Sequence, residues 1–326
     1  MSRDRELLLG TRGSQLALWQ ANTVAERLAA NGGPPCRIVI IKTSGDRLQD
    51  APLSQAGGKR LFVKEIEDAL ASHAIDLAVH SSKDLPVELV QGLTIGAVLP
   101  REDPRDAVVL PSRLPGFGTR DAELDDLESI ARTLGPAPTI GTSSVRRTAQ
   151  LSTLWPDARF VPVRGNLDTR LRKLDEGQYD ALVLAAAGLK RLGLQSRISL
   201  ALPISACVPA PGQGIVAIEI RANDEAVRLA VVAISDPMAL AALAAERALV
   251  VGLGGGCQTP IGALASSLDR ETIELVGVVV APGGSRSIRA AGRAAIGDSE
   301  ALGARIAGEL IAQGAGDILA ACRLDE

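Results

Sequence analysis

Aromatic side chains are scarce in this chain of 326 residues: Trp19, Trp155, Phe62, Phe117, Phe160 and Tyr179 make up 2% of it. Few surfaces can stack on bases or sugars, and the cores must be built from Ala, Val, Leu and Ile. Histidine occurs only at His73 and His80, and the four cysteines (Cys36, Cys207, Cys257, Cys322) lie far apart with no Cys-x-x-Cys pair. That pattern supports neither a disulfide framework nor a zinc site. A Ser–His–Asp triad would need one of the two histidines; His80 follows a predicted strand, but no Gly-x-Ser-x-Gly turn accompanies it. No run of about 18 uncharged apolar residues occurs, and the N-terminal MSRDRELLLG is too acidic, with too short an apolar run, for a signal peptide. A cytoplasmic protein without a membrane partner is the expectation. Charge is nearly balanced, 35 Lys and Arg against 38 Asp and Glu for a net −3, which argues against a nucleic-acid partner. Any basic site must be local.

What is present is alternation. Strand-like runs at 7–11, 36–41, 76–80 and 93–98 are separated by helical patterns, the signature of a parallel sheet covered by helices. Ser14 is placed to cap a helix whose Leu16, Leu18, Trp19, Val24 and Leu28 fall near helical spacing and which stops at Asn31-Gly32-Gly33. A polar stretch over 43–60 reads as a long loop. From Pro100 the pattern restarts, with strands near 106–110, 138–141, 159–163 and 180–184 and helices near 144–155 and 166–177. Residues 111–138, with a mixed-charge helix over 122–134, read as a surface excursion whose removal should be tolerated. After VPAPGQG (208–214) come an apolar run over 215–220, two Ala-rich helices, and alternating strands near 261–266, 272–280 and 286–293 with a helix at 298–313. That last third resembles a small antiparallel α+β domain.

Four places stand out chemically. Between Gly141 and Arg191 nine basic residues face five acids. Arg146 and Arg147 follow Thr142-Ser143-Ser144 at a strand-to-helix turn, where the helix dipole disfavours cations; a bound anion would resolve the conflict. The alternative is arginines solvated or paired with Asp157, Asp168 or Glu176. Thr11-Arg12-Gly13-Ser14 repeats the same turn in the first half, which suggests an anionic ligand between two α/β domains at the carboxyl ends of strands; plain capping by Ser14 is the alternative. His80-Ser81-Ser82-Lys83-Asp84-Leu85-Pro86 offers an acid–base pair or merely a polar turn. Cys257, in a Gly-rich loop, is either reactive or structural.

Ten strings in order, TRGSQLALWQ (11–20), GGKRLFVKE (57–65), AVHSSKDLPVE (78–88), REDPRDA (101–107), GTSSVRR (141–147), VRGNLDTRL (163–171), AAAGLKRLGL (185–194), VPAPGQG (208–214), ERA (246–248) and GGCQTPIG (255–262), resemble the porphobilinogen deaminase (hydroxymethylbilane synthase) family over nearly the whole chain. The resemblance implies an α/β fold with two domains like type II periplasmic binding proteins, 1–99 with 215–235 and 100–214, and an α+β domain over 236–326. It implies condensation of four porphobilinogen molecules with loss of ammonia, then hydrolysis of the linear tetrapyrrole, by a monomer carrying a dipyrromethane joined through a thioether to Cys257. By the same resemblance Asp84 and Lys83 match catalytic positions. Cofactor contacts match Arg146, Arg147, Ser144, Lys83, Arg164 and Asp84; substrate contacts match Arg12, Ser14, Arg164, Arg170, Arg191, Lys59 and Thr142. Gln55 stands where the family often has Lys, and 112–130 is longer than in common members. A non-catalytic anion-binding protein and a phosphate-handling transferase are the rivals; the second lacks a Walker loop.

Overall fold

The computed structural model describes residues 5–47, 61–112, 126–255 and 259–324. Strands β1 (Leu7–Thr11), β2 (Cys36–Ile40) and β3 (Leu77–Ser81) pair in parallel, with β1 in the middle. Between β1 and β2 runs α1 (Gln15–Ala30). It starts where Ser14 Oγ accepts a hydrogen bond from the Ala17 N–H, and it buries Ala21, Val24 and Leu28 at helical spacing against the sheet. Short α2 (Ser44–Arg47) and amphipathic α3 (Lys64–Ala71) follow, then β4 (Leu93–Val98).

The second half repeats the scheme with β5 (Asp106–Val109), α4 (Leu127–Leu134), β6 (Thr139–Gly141), α5 (Val145–Leu151), β7 (Arg159–Val161), α6 (Leu167–Asp175), β8 (Ala181–Ala185), α7 (Ala186–Arg191), β9 (Leu200–Ala201) and β10 (Val216–Arg221). The two five-stranded sheets read β2-β1-β3-β10-β4 and β7-β6-β8-β5-β9. They match position by position: three parallel strands, then one antiparallel to both its neighbours. In each, that fourth strand is the one delivered from the other sheet. The chain therefore crosses twice, over 99–105 and 202–215, and the apolar run after VPAPGQG is β10 of the first sheet. Two α/β units with the same strand topology are the result.

The crossings lie side by side, with the Leu99 N–H donating to Val216 O and the Glu102 N–H to Gly214 O. The PGQG string follows from this closeness. Gly212 and Gly214 adopt φ of +74° and +86°, and a Cβ at Gly214 would sit 2.2 Å from Glu102 O.

Beyond α8 (Glu225–Val232), helix α9 (Pro237–Gly252) opens on an Asp236 cap with Pro at its first turn. It packs with α10 (Ser299–Ala312) and α11 (Ala315–Leu324) on the antiparallel meander β11 (Ile261–Ser267), β12 (Thr272–Val280), β13 (Ser287–Ala295). This is the small α+β unit. Fully buried Glu246 of α9 accepts from Arg101 (2.6 and 3.1 Å), from the Gly212 N–H (2.6 Å) and from the Ala265 N–H (2.7 Å), so α9 is fastened to both crossings.

Two expectations need correction. The 122–134 helix is not a dispensable excursion: α4 begins at Leu127 under an Asp126–Ser129 capping box and sends fully buried Ile130 into a core with Val108, Leu110, Leu151 and Trp155. The periodicity there was masked by charges on its outer face. Helix α11 was not anticipated, because its Ala-rich pattern continues that of α10 across Gly314, whose φ of +95° breaks the axis.

Candidate active site

The carboxyl ends of β1, β3, β7 and β8, from both sheets, open on one cavity of about 320 Å³ between the two units. Placing a site there follows from parallel topology, since the loops leaving these ends all emerge on one side. Arg12 and Ser14 line it from the β1 turn, Lys83 and Asp84 from the loop after β3, Arg147 from α5, and Arg164 and Arg170 from the β7–α6 region. These are residues the sequence singled out, distributed over both halves and brought together only by the crossing chain.

Their electrostatics are uneven. Arg12 is not a free cation. Its Nη2 lies 2.5 Å from Asp46 Oδ1, its guanidinium stacks 4.3 Å over the Phe62 ring, and Asp46 also accepts from the Thr43 N–H and hydroxyl. Burial works to raise the Asp46 carboxyl, but the hydrogen bond and charge of Arg12 win and hold it below the usual range. Lys83 donates to Gln213 Oε1 (3.3 Å); burial, then the Arg147 charge, push its ammonium down to about 8. Arg170, donating to Gly165 O, is pushed by burial and then Arg147 down to about 10, and stays charged at neutral pH. Asp84 is exposed to the cavity and makes no hydrogen bond or ion pair among the described residues.

The sequence pointed to a bound anion beside Arg146 and Arg147; the structure supplies one from the chain itself. Asp106, at the start of β5 and fully buried, accepts from Arg146 Nη1 (2.7 Å), Arg147 Nε and Nη2 (2.9 and 2.7 Å) and Gln213 Nε2 (2.9 Å). Burial opposes ionisation of Asp106, yet the two guanidiniums hold it far below the usual carboxylate range. The anticipated partners Asp157 and Asp168 make no ion pair with either arginine among the described residues; Glu176 pairs with Arg172 instead. Arg101, Asp106, Gln213 and Glu246 all sit in the quoted strings, but sequence spacing does not disclose their pairing. The one signal was an Asp opening the apolar run AVVL, a position that only a buried cation makes tolerable.

Arg146 faces a second cavity of about 90 Å³, lined also by Ser82, Lys83, Ser144, Arg247 and Thr259. Ser82 Oγ and Arg146 Nε are enclosed there with no hydrogen-bond partner among the described residues. Enclosed, unsatisfied donors beside an ammonium suit a carboxylate-bearing ligand. Besides Arg146, three of the described candidates do not line the larger cavity. Thr142 is buried, its Oγ1 accepting from the Ser144 N–H; Ser144 caps α5; Arg191 lies beside the second crossing, donating to Gly214 O and stacking 5.5 Å over Trp19. Burial pushes Arg191 down to about 10. Lys59, Gln55, Cys257 and most of the 112–130 stretch lie outside the described residues.

Residues 7–229 match the family model "Porphobilinogen deaminase, dipyromethane cofactor binding domain", and 240–312 match "Porphobilinogen deaminase, C-terminal domain". The chain is 46% identical over 317 residues to a porphobilinogen deaminase of Thiobacillus denitrificans, covering 96% of this chain and 97% of the relative. It is 46% identical over 324 residues to one of Pelotomaculum thermopropionicum, covering 99% and 98%. Among solved structures it is similar to the VFT2 domain of Bordetella pertussis BvgS (TM-score 0.40, 15% identity, 72% of this chain and 87% of that one). With both family domains matched in order and the relatives aligned nearly end to end, the chain belongs to the porphobilinogen deaminase family.

Proposed function

We propose that this chain is a transferase of tetrapyrrole and haem biosynthesis. It condenses four porphobilinogen molecules head to tail, releases ammonia at each step, and hydrolyses the product off as hydroxymethylbilane. The observation that carries this reading is the cavity in which Arg12, Lys83, Arg147, Arg164 and Arg170 surround Asp84, whose carboxylate has no hydrogen bond or ion pair among the described residues. Each pyrrole of the substrate brings two carboxylates, which forked guanidiniums bind with defined orientation.

The second cavity, of about 90 Å³, suits carboxylate arms of the dipyrromethane and not its two whole rings. Ser82, Lys83, Ser144 and Arg146 would hold its carboxylates there, and Thr259, two residues after Cys257, lines the same space, which supports a thioether at Cys257. When bound, that group supplies the pyrrole carbon on which the chain starts. Asp84 does the central work: its carboxylate accepts the pyrrole N–H of the reacting substrate and stabilises the positive charge that develops as ammonia departs. Arg12, Arg164 and Arg170 orient substrate carboxylates. The Asp106 counter-charge keeps Arg147 in place without spending its position on the ligand. The division into units 1–99 with 215–235, 100–214 and 236–326, a monomeric state and a cytoplasmic location belong to the same proposal; the paired crossings support the first.

Two variants test it. Cys257→Ser loses an adduct of one dipyrromethane in intact mass and loses activity, whereas Asp84→Asn keeps the adduct and releases almost no ammonia from porphobilinogen. An Asp84→Asn enzyme, folded and loaded, that condenses at a near-normal rate would refute the role of Asp84; a wild-type chain with no adduct and only reversible anion binding would favour the binding-protein reading.

A further inference from the structure

One buried acid–base pair next to the cavity has no part in the scheme above. His80 is the penultimate residue of β3, four before Asp84, and Glu219 lies on β10, the strand returning from the second unit. His80 Nε2 and Glu219 Oε2 are 3.2 Å apart, with side chains 4% and 0% exposed. His80 Nε2 and both carboxylate oxygens of Glu219 are enclosed and have no hydrogen-bond partner among the described residues, so the two side chains meet by this contact alone. A carboxylate so enclosed, with an imidazole as its one polar neighbour, is tolerable where a proton lies between the two.

The pair also has an outlet. His80 lines a cavity of about 70 Å³ together with Arg12, Gln20, Ser81 and Asp84, next to the main one. Nε2 is enclosed, so His80 meets this cavity by other atoms, and the space is large and polar enough for water. The charged groups on the surrounding elements are Arg12, Lys83 and Asp84, with Glu67 on α3 and Arg221 on β10. Arg12 is committed to Asp46, and Arg221 to Leu70 O, Ile75 O and Asp224, so neither forms an ion pair with Glu219.

We propose that His80, backed by Glu219, is the proton-relay partner of Asp84; this rests on the condensation reading. The balance per addition is closed. The C–N bond of the aminomethyl group breaks with its electron pair staying on nitrogen, which takes the pair's proton by way of Asp84 and leaves as ammonia. The acceptor pyrrole's α-carbon then forms the new C–C bond and loses its own proton, which returns through Asp84 to His80. Glu219 stabilises the imidazolium and keeps Nε2 protonated and turned away from the cavity, the arrangement by which a buried carboxylate orients an imidazole in other acid–base sites.

The test uses the cofactor-loaded enzyme and porphobilinogen deuterated at its free α-carbon, reading the rate of the second addition, in which the deuterated ring is the acceptor. Glu219→Gln and His80→Asn should each slow that addition about 100-fold. Both should reveal a primary isotope effect larger than in wild type, while the adduct mass and the affinity for an unreactive pyrrole dicarboxylate stay unchanged. Wild-type rates, or a slowing with no change in isotope effect, would overturn the relay. If either variant does not fold, ¹⁵N spectra of the wild-type imidazoles decide, since only two histidines contribute: a bare Nε2 on His80 refutes the proposal, and a protonated one supports it. A wild-type chain that releases no ammonia from porphobilinogen would overturn the condensation reading itself, and with it the relay.

Discussion

Asp106→Asn would leave Arg146 and Arg147 buried without their shared counter-charge. The amide oxygen can still accept from one guanidinium, but the amide nitrogen would then point a donor at donors: Arg146 Nη1, Arg147 Nε and Nη2, and Gln213 Nε2 all converge on the present carboxylate. Breaking a buried ion pair by removing one partner costs about 3–5 kcal/mol. The remaining bonds of Arg146 to Val208 O and of Arg147 to Val183 O anchor the side chains in place, so the cations cannot swing out to water. A loss of about 4 kcal/mol is therefore expected, or roughly 15–20 °C in the melting of a unit of this size. Trp155, buried in the core of the same unit, reports that transition by fluorescence, and Trp19→Phe removes the other indole. The pH sign is definite. Asp106 is depressed in the folded chain, so its contribution is fully present above the unfolded value of about 4 and is lost as pH falls through the folded one. The gap between wild type and variant should stay constant from about pH 8 to 5 and narrow only in more acidic solution. A gap under about 1 kcal/mol at neutral pH would refute the counter-charge argument.

Two further outcomes follow from the geometry. Lys83, lowered to about 8, loses its ammonium in the ligand-free protein as pH rises through that value, so the affinity for an unreactive pyrrole dicarboxylate, measured calorimetrically, should be flat below about pH 7 and decline above about 8. Lys83→Met should remove that decline, and a variant that keeps it would assign the titration elsewhere. Ile130→Ala should destabilise the second unit by about 2–4 kcal/mol in urea titrations, because the residue is fully enclosed; a neutral result would restore the view of this helix as a surface excursion.

Local patterns carried much of this molecule. Ser14, Ser144, Asp236 and the glycines after α1 act over a few residues, so capping and periodicity place α1, α5 and α9 directly from the sequence, and the strand ends that bear Arg12, Lys83 and Asp84 come with them. What periodicity could not state was which strand joins which sheet: β10 reads as an apolar run either way, and only closing both sheets sends it back to β3 and β4. Charge pairing was hidden for the same reason. Arg146 meets a carboxylate 40 residues earlier in the chain, and His80 meets Glu219 across a strand that arrives from the other unit. Sequence spacing determines which face of an element a side chain occupies, because the backbone repeats every 3.6 or 2 residues. Which charge answers it in the interior depends on elements brought together by the burial of apolar surface, and that burial is non-directional in sequence, so the counter-ions belonged to the tertiary structure alone.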